Sequence, residues 1–120
     1  INRLISANID FMYKELPPLS EVSKMYSACD LYVVGSRFEG GPQSILECGI
    51  SKTPIVSTDV GIASTILPSD CIFDVGGSCD IYFPTNKDVE QTYANSLKYN
   101  VTKHVCKYDD LFENIFGGLA

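Results

Sequence analysis

The run Ser36-Arg37-Phe38-Glu39-Gly40-Gly41-Pro42-Gln43-Ser44-Ile45-Leu46-Glu47 gathers the residue types best suited to chemistry in this chain. Gly40 and Gly41 carry no side chains, so their backbone N–H groups can approach a ligand closely. Pro42 suits the first turn of a helix, where its missing N–H costs nothing. The first amides of such a helix have no intrahelical partner and lie at the positive end of its dipole. The backbone from Gly40 through Pro42, Gln43 and Ser44 to Ile45, with an N–H on every residue but Pro42, therefore describes an anion site, worth about 0.3–2 kcal/mol from the dipole alone. Glu39 stands before it and Glu47 about one turn into the helix. A carboxylate only accepts hydrogen bonds, so this pair suits a ligand with hydroxyls to donate. A phosphate between amides, with hydroxyls on either side, is the chemistry of a nucleotide sugar. The plainer alternative is a glycine-led helix carrying solvated glutamates, since both features are common.

The elements that must position these residues follow from the flanking pattern. Residues 31–34 form a short continuous apolar run, as in a strand buried on both faces of a parallel sheet. The predicted helix runs from 42 to about 51, with Ile45, Leu46 and Gly49 on the face toward the sheet and Glu47 well off it. A second strand is predicted over 55–57, beside a central strand 31–34 and parallel to it. Thr58 to Gly61 form the loop after it, and 62–67 a short helix stopped by Pro68. Further strands are predicted at 9–13, 71–73 and 81–83, the last two around a Gly76-Gly77 turn. Helices are predicted over 20–28 with Ser20 as N-cap, over 87–99 capped by Thr85 or Asn86, and over about 103–116. Alternating strands and helices imply an α/β fold: a Rossmann-like parallel sheet with helices on both faces. In such sheets ligands bind at the carboxyl ends of the strands, which directs attention to the loops 35–42 and 58–61.

Composition narrows the partners. The 120 residues suffice for one domain with a real core. Hydrophobic residues at 45% and charged residues at 20% exclude a disordered chain. No apolar run approaches the roughly 20 residues of a membrane span. A net charge of -6 argues against nucleic acid as a partner and against a polybasic membrane anchor. The five cysteines show no CxxC spacing, and buried, reduced, structural thiols in a cytosolic compartment are expected. His104, the only histidine, is read as an ordinary residue of the last helix. The sequon Asn100-Val101-Thr102 is read as chance, because no secretion signal accompanies it. The chain starts at Ile1, without a signal segment, and reads as a piece of a longer product.

The wording of the central segment resembles the donor-binding motif of the family-four retaining glycosyltransferases of the GT-B fold. That family carries a Glu-x7-Glu pair, then a small-residue stretch ending in Thr-Pro, then a strand leading to Thr-Asp-Val-Gly. Glu39 and Glu47 have the spacing, and Thr53-Pro54-Ile55-Val56-Ser57-Thr58-Asp59-Val60-Gly61 matches the second block in order and distance. Tyr26, Ala28 and Asp30 resemble the helix end that precedes the family's first strand. The continuous match covers about 19–67.

The resemblance implies the donor-binding portion of a hexosyltransferase using a UDP- or GDP-sugar and acting on a glycan or lipid acceptor. It implies that Glu47 accepts from the ribose and that Glu39, the catalytic-site glutamate, contacts the donor sugar. Gly40 to Ile45 would lie near the sugar and distal phosphate, and Thr58 and Gly61 at the edge of the nucleotide site. No Asp-x-Asp motif is present, and the resemblance implies neither metal nor cofactor. It further implies that 1–120 is a donor domain truncated at its N-terminal side, with the basic diphosphate-binding residues and the acceptor domain absent. The fragment alone would then be inactive. Arg37 and Lys52 are candidates to reach a phosphate, or are ordinary solvated residues. Gly49 stands where the family often has Met, and Lys52 where Gly often ends the helix, which leaves that C-cap open. The expected location is the cytoplasm, or the cytosolic face of a membrane through the parent protein. The rival function is a non-catalytic nucleotide-sugar-binding module or scaffold.

Overall fold

A computed structural model describes residues 2–15, 17–76 and 82–117. Its centre is a three-stranded parallel sheet. Strand β1 is Tyr32–Val34, β2 is Ile55–Thr58 and β3 is Ile72–Phe73, in the order β1-β2-β3. Tyr32 pairs with Ile55, Val33 with Val56 and Val34 with Ser57; Ser57 and Thr58 then pair with Ile72 and Phe73. The predicted parallel pairing of the first two strands therefore holds. Their order is different, because β2 is central and β1 lies beside it. Burial explains this: every residue of β2 is buried, whereas Val33 of β1 is exposed.

Parallel neighbours need long connections, usually helical. Helix α3, Gln43–Ile50, connects β1 to β2, and the short α4, Ala63–Ile66, connects β2 to β3. Before the sheet come α1, Asn2–Ser6, and α2, Leu19–Ala28; after it come α5, Asn86–Ser96, and α6, Val101–Phe116. The core joins Val34, Ile55 and Val56 of the sheet to Ile45 and Cys48 of α3, Ala63 and Ile66 of α4, and Tyr26 of α2. The buried face of α3 is thus Ile45, Cys48 and Gly49, at the i, i+3, i+4 spacing of one helix face. Leu46 is only half-buried, against expectation, because α3 turns that position toward α2 and the end of α5.

Two backbone devices fix the far end of α3. Lys52 adopts φ +54°, the conformation glycine usually takes there. Its N–H reaches Gly49 C=O at 3.2 Å, and Thr53 N–H reaches Cys48 C=O at 2.9 Å, the two bonds of a Schellman motif. The Lys52 side chain meets Glu90 at 2.7 Å and lies 4.6 Å over the Tyr93 ring, tying the α3 terminus to α5. Gly49 serves the same contact. A Cβ at this position would fall 2.0 Å from Ser96 Oγ, so α5 can approach α3 this closely only because Gly49 has no side chain.

Several expectations are corrected. Residues 9–13 form no strand. After α1 the chain turns through Asn8 at φ +53°, and 9–14 have no ladder partner. An apolar run becomes a strand only where a neighbour satisfies its backbone, and Ile9, Phe11, Met12 and Tyr13 are exposed here. Ser20 is not a cap: α2 starts at Leu19 after Pro18, with no side-chain cap. Cys71 belongs to a 3-10 turn, Ser69–Cys71, rather than to β3. Tyr82 and Phe83 form no strand, and Ile81 and Gly77 lie outside the described residues.

The helix predicted over 87–99 is α5 followed by a 3-10 turn, Leu97–Tyr99, and α6 begins at Val101. Thr85 is the cap of α5. Its side chain accepts from Asp88 N–H, while Asp88 accepts from Thr85 N–H at 2.8 Å. Of the cysteines, Cys48 and Cys71 are buried, and burial pushes their thiols up to about 12 and about 11. Cys29 and Cys106 are exposed because they fall just past the end of α2 and on the open part of α6. Cys79 lies outside the described residues. No described helix is long and apolar enough to cross a membrane.

Candidate functional site

The loops that leave β1 and β2 meet at the carboxyl ends of these strands. Thr58, the last residue of β2, is buried and donates through Oγ1 to Ser36 C=O at 2.5 Å, stitching the two loops together. Its hydroxyl is thereby directed into the protein, so Thr58 shapes the site from behind rather than from its edge. Beyond it Gly61 adopts φ +54°. A Cβ there would fall 2.7 Å from Pro42 Cδ and 3.1 Å from Gly41 Cα. Gly61 thus abuts Gly41-Pro42, the entry to α3. The two blocks of sequence that carry the resemblance come into direct contact at this point.

Pro42 is buried and stands just ahead of α3 as its N-cap, with φ -67°. The N–H of Ile45 is taken up by Pro42 C=O at 3.1 Å, and the Ile45 side chain is wholly buried. The helix end therefore offers the amides of Gln43 and Ser44 rather than that of Ile45. Gly40 and Gly41 are exposed. Neither has a positive φ, and open space surrounds the Cβ position of both. Their lack of side chains is not demanded by the backbone and leaves room above the loop.

The two glutamates flank the start of α3 but line different cavities. Glu39 lines one of about 450 Å³ with Arg37, Phe38, Gly40, Asp59 and Gly61. Ser36 Oγ donates a hydrogen bond to the Glu39 carboxylate and so orients it. Glu47 lines a larger, mainly apolar cavity of about 600 Å³ with Tyr26, Gln43, Leu46, Leu97 and Tyr99. Tyr26 Oη donates to Glu47 Oε2 at 2.8 Å.

Arg37 lines the Glu39 cavity. Lys52 is not at the site: it is paired with Glu90 beyond the opposite end of α3. His104 falls on α6, and its side chain lies outside the described residues. Among the described residues no group of three or more His, Cys, Asp or Glu side chains is placed to hold a metal ion.

Tyr26 and Ser36 are the contributors that sequence spacing did not single out as site residues. Tyr26 lies 21 positions ahead of Glu47, on a different helix. Its place on the apolar stripe of α2 marks it as core and says nothing of where its hydroxyl ends. Ser36 lies three positions before Glu39, but only the folded loop turns its Oγ onto the carboxylate.

What the site can do follows from these parts. Amides at a dipole end can receive an anion, one oriented carboxylate lies on each side, and two glycines leave space above. No curated protein and no solved structure matches the chain. The family model for glycosyl transferases group 1 matches residues 3–97, which takes in the whole sheet, both site loops and the two glutamates. The chain therefore belongs to the group 1 glycosyl transferases, with a partial GT-B domain of Rossmann-like architecture.

Proposed function

We propose that this chain is the donor-binding portion of a glycosyltransferase. The parent moves a hexose from a UDP- or GDP-sugar to a glycan or lipid acceptor with retention of configuration. The acceptor is held by a part of the protein outside these 120 residues. Family membership supports glycosyl transfer in general. The observation that carries the finer reading is the contact of Gly61 with Gly41-Pro42, which brings the carboxyl-end loops of β1 and β2 together at the start of α3. A nucleoside-diphosphate sugar laid across that start would set its phosphates on the Gln43 and Ser44 amides. Glu39 would accept from sugar hydroxyls on one side and Glu47 from the ribose on the other.

Breaking the bond between the anomeric carbon and phosphate oxygen leaves negative charge on the diphosphate. Fixed amides at a helix end stabilise that charge without having to reorganise. No metal enters this reading.

The test is calorimetric titration of the full-length protein with UDP and GDP, followed by turnover of the matching sugar donor. A hydrogen bond to a charged group is worth about 1.5–3 kcal/mol, so Glu47→Ala should weaken the nucleoside diphosphate about 10- to 100-fold. Glu39→Ala should leave that affinity nearly unchanged and lower turnover of the sugar donor. If both variants bind and turn over like wild type, the assignment fails. Tight binding with no turnover in the full-length wild type would instead identify a non-catalytic nucleotide-sugar-binding module.

A further inference from the structure

Glu47 is a long, exposed side chain on the surface of α3, and left to itself it would sample many rotamers. One residue restrains it. Tyr26 is 8% exposed, and its ring meets that of Tyr32 edge-on at 5.4 Å. Its backbone C=O accepts from Thr53 Oγ1 at 2.8 Å. The ring is thus buried against Tyr32 of β1, and the turn after α3 anchors the Tyr26 backbone. From that rigid seat Oη donates to Glu47 Oε2 at 2.8 Å. Among the described residues nothing else donates to the Glu47 carboxylate, so Oε1 keeps its full acceptor capacity.

We propose that Tyr26 is a positioning residue: it clamps Oε2 of Glu47 and thereby presents Oε1 to a ribose hydroxyl of a nucleoside diphosphate. The inference rests on the ribose-binding reading of Glu47 and assigns Tyr26 no contact with the ligand. The hydroxyl remains a donor throughout the working pH range, since burial, and then the Glu47 carboxylate, push the Tyr26 phenol well above its ordinary value. The clamp is directional as well. A carboxylate has no hydrogen to donate, so Tyr26 must be the donor of this bond, and it engages Oε2 while Oε1 is left for a ligand.

The experiment uses the full-length protein, with UDP and GDP as probes and each variant checked by thermal melt. Tyr26→Phe removes one oxygen and keeps the ring, and should weaken the nucleoside diphosphate about 3- to 10-fold. In a Glu47→Ala background the same change should cause no further loss. A 2′,3′-dideoxynucleoside diphosphate should bind wild type and Tyr26→Phe alike. A merely structural tyrosine would lower affinity equally in both backgrounds and for both ligands, and that result overturns the proposal.

Glu47→Gln gives a second reading that leaves Tyr26 intact. It has one neutral acceptor oxygen where the clamp uses two charged ones, so it should bind more weakly than wild type while melting like wild type. Wild-type affinity in Glu47→Gln overturns the clamp. If Glu47→Ala binds weakly but Tyr26→Phe binds like wild type, the proposal alone fails and the ribose-binding reading stands. If Glu47→Ala itself binds like wild type, both fall.

Discussion

Replacing Gly61 by alanine separates the two demands placed on glycine at this site. The backbone at Gly61 has φ +54°, where an L side chain costs about 1–2 kcal/mol. The new Cβ would also lie 2.7 Å from Pro42 Cδ, 3.1 Å from Gly41 Cα and 3.2 Å from Gly41 N. Two of these atoms belong to backbone and the third to a rigid ring, so none can swing aside. Overpacking of this kind costs about 1–3 kcal/mol. Stiffening of the unfolded chain returns about 0.4–1 kcal/mol. The net loss is about 1–5 kcal/mol, centred near 3, which is on the order of 10 °C in melting temperature.

The movement falls on Gly41-Pro42, so nucleoside-diphosphate affinity should drop along with stability. Gly40→Ala is the control. Its Cβ meets nothing within 4 Å, so stability should change by no more than about 0.5 kcal/mol. Its methyl group stands beside the Glu39 cavity, so sugar-donor binding should still suffer. Both variants are read by thermal melts and by titration with UDP, GDP and their sugars. A Gly61→Ala protein that melts like wild type would refute the contact between the two loops, and with it the geometric basis of the site.

Gly49→Ala should lower the unfolding free energy by about 1–3 kcal/mol, read by denaturant titration, despite alanine's better helix propensity, because its Cβ would lie 2.0 Å from Ser96 Oγ and 2.9 Å from Ser96 Cβ. Adding Ser96→Gly should recover much of that loss, and a double-mutant cycle with no coupling would count against the close crossing of α3 and α5. Stability should also fall in acid through Asp88, whose carboxyl is held below its ordinary 3.8 by the Thr85 hydroxyl, then by Tyr82 and the Thr85 amide. A carboxyl depressed in the folded state contributes fully above its unfolded value and loses that contribution as pH falls through the folded one. Asp88→Asn should therefore flatten the decline in melting temperature below about pH 4, and an unchanged acid limb would refute this capping role.

Local chain chemistry was enough for the first two strands and the helix between them, but not for which strand is central. The apolar runs at 31–34 and 55–57, separated by Pro42 and a helical pattern, specify two parallel strands around α3, since each signal acts within a few residues. The start of α5 was legible to within a residue, at Thr85 or Asn86, and the reciprocal bonds with Asp88 decide for Thr85. The Glu-x7-Glu spacing and the Thr-Asp-Val-Gly block pointed to the loops that do meet. Partners distant in sequence were decided elsewhere. Residues 9–13 look like a strand by composition, yet a strand needs a neighbour to satisfy its backbone, and none pairs with it here. The sequence places Glu39 and Glu47 eight positions apart; only the folded structure shows that they line separate cavities. Lys52 in the left-handed conformation, Gly49 under Ser96 and the Tyr26 hydroxyl on Glu47 each depend on a second element arriving at a set distance. Residue types and short spacings carry the local terms of folding. Which oxygen meets which donor across elements is fixed only when the core closes and sets the distances between them.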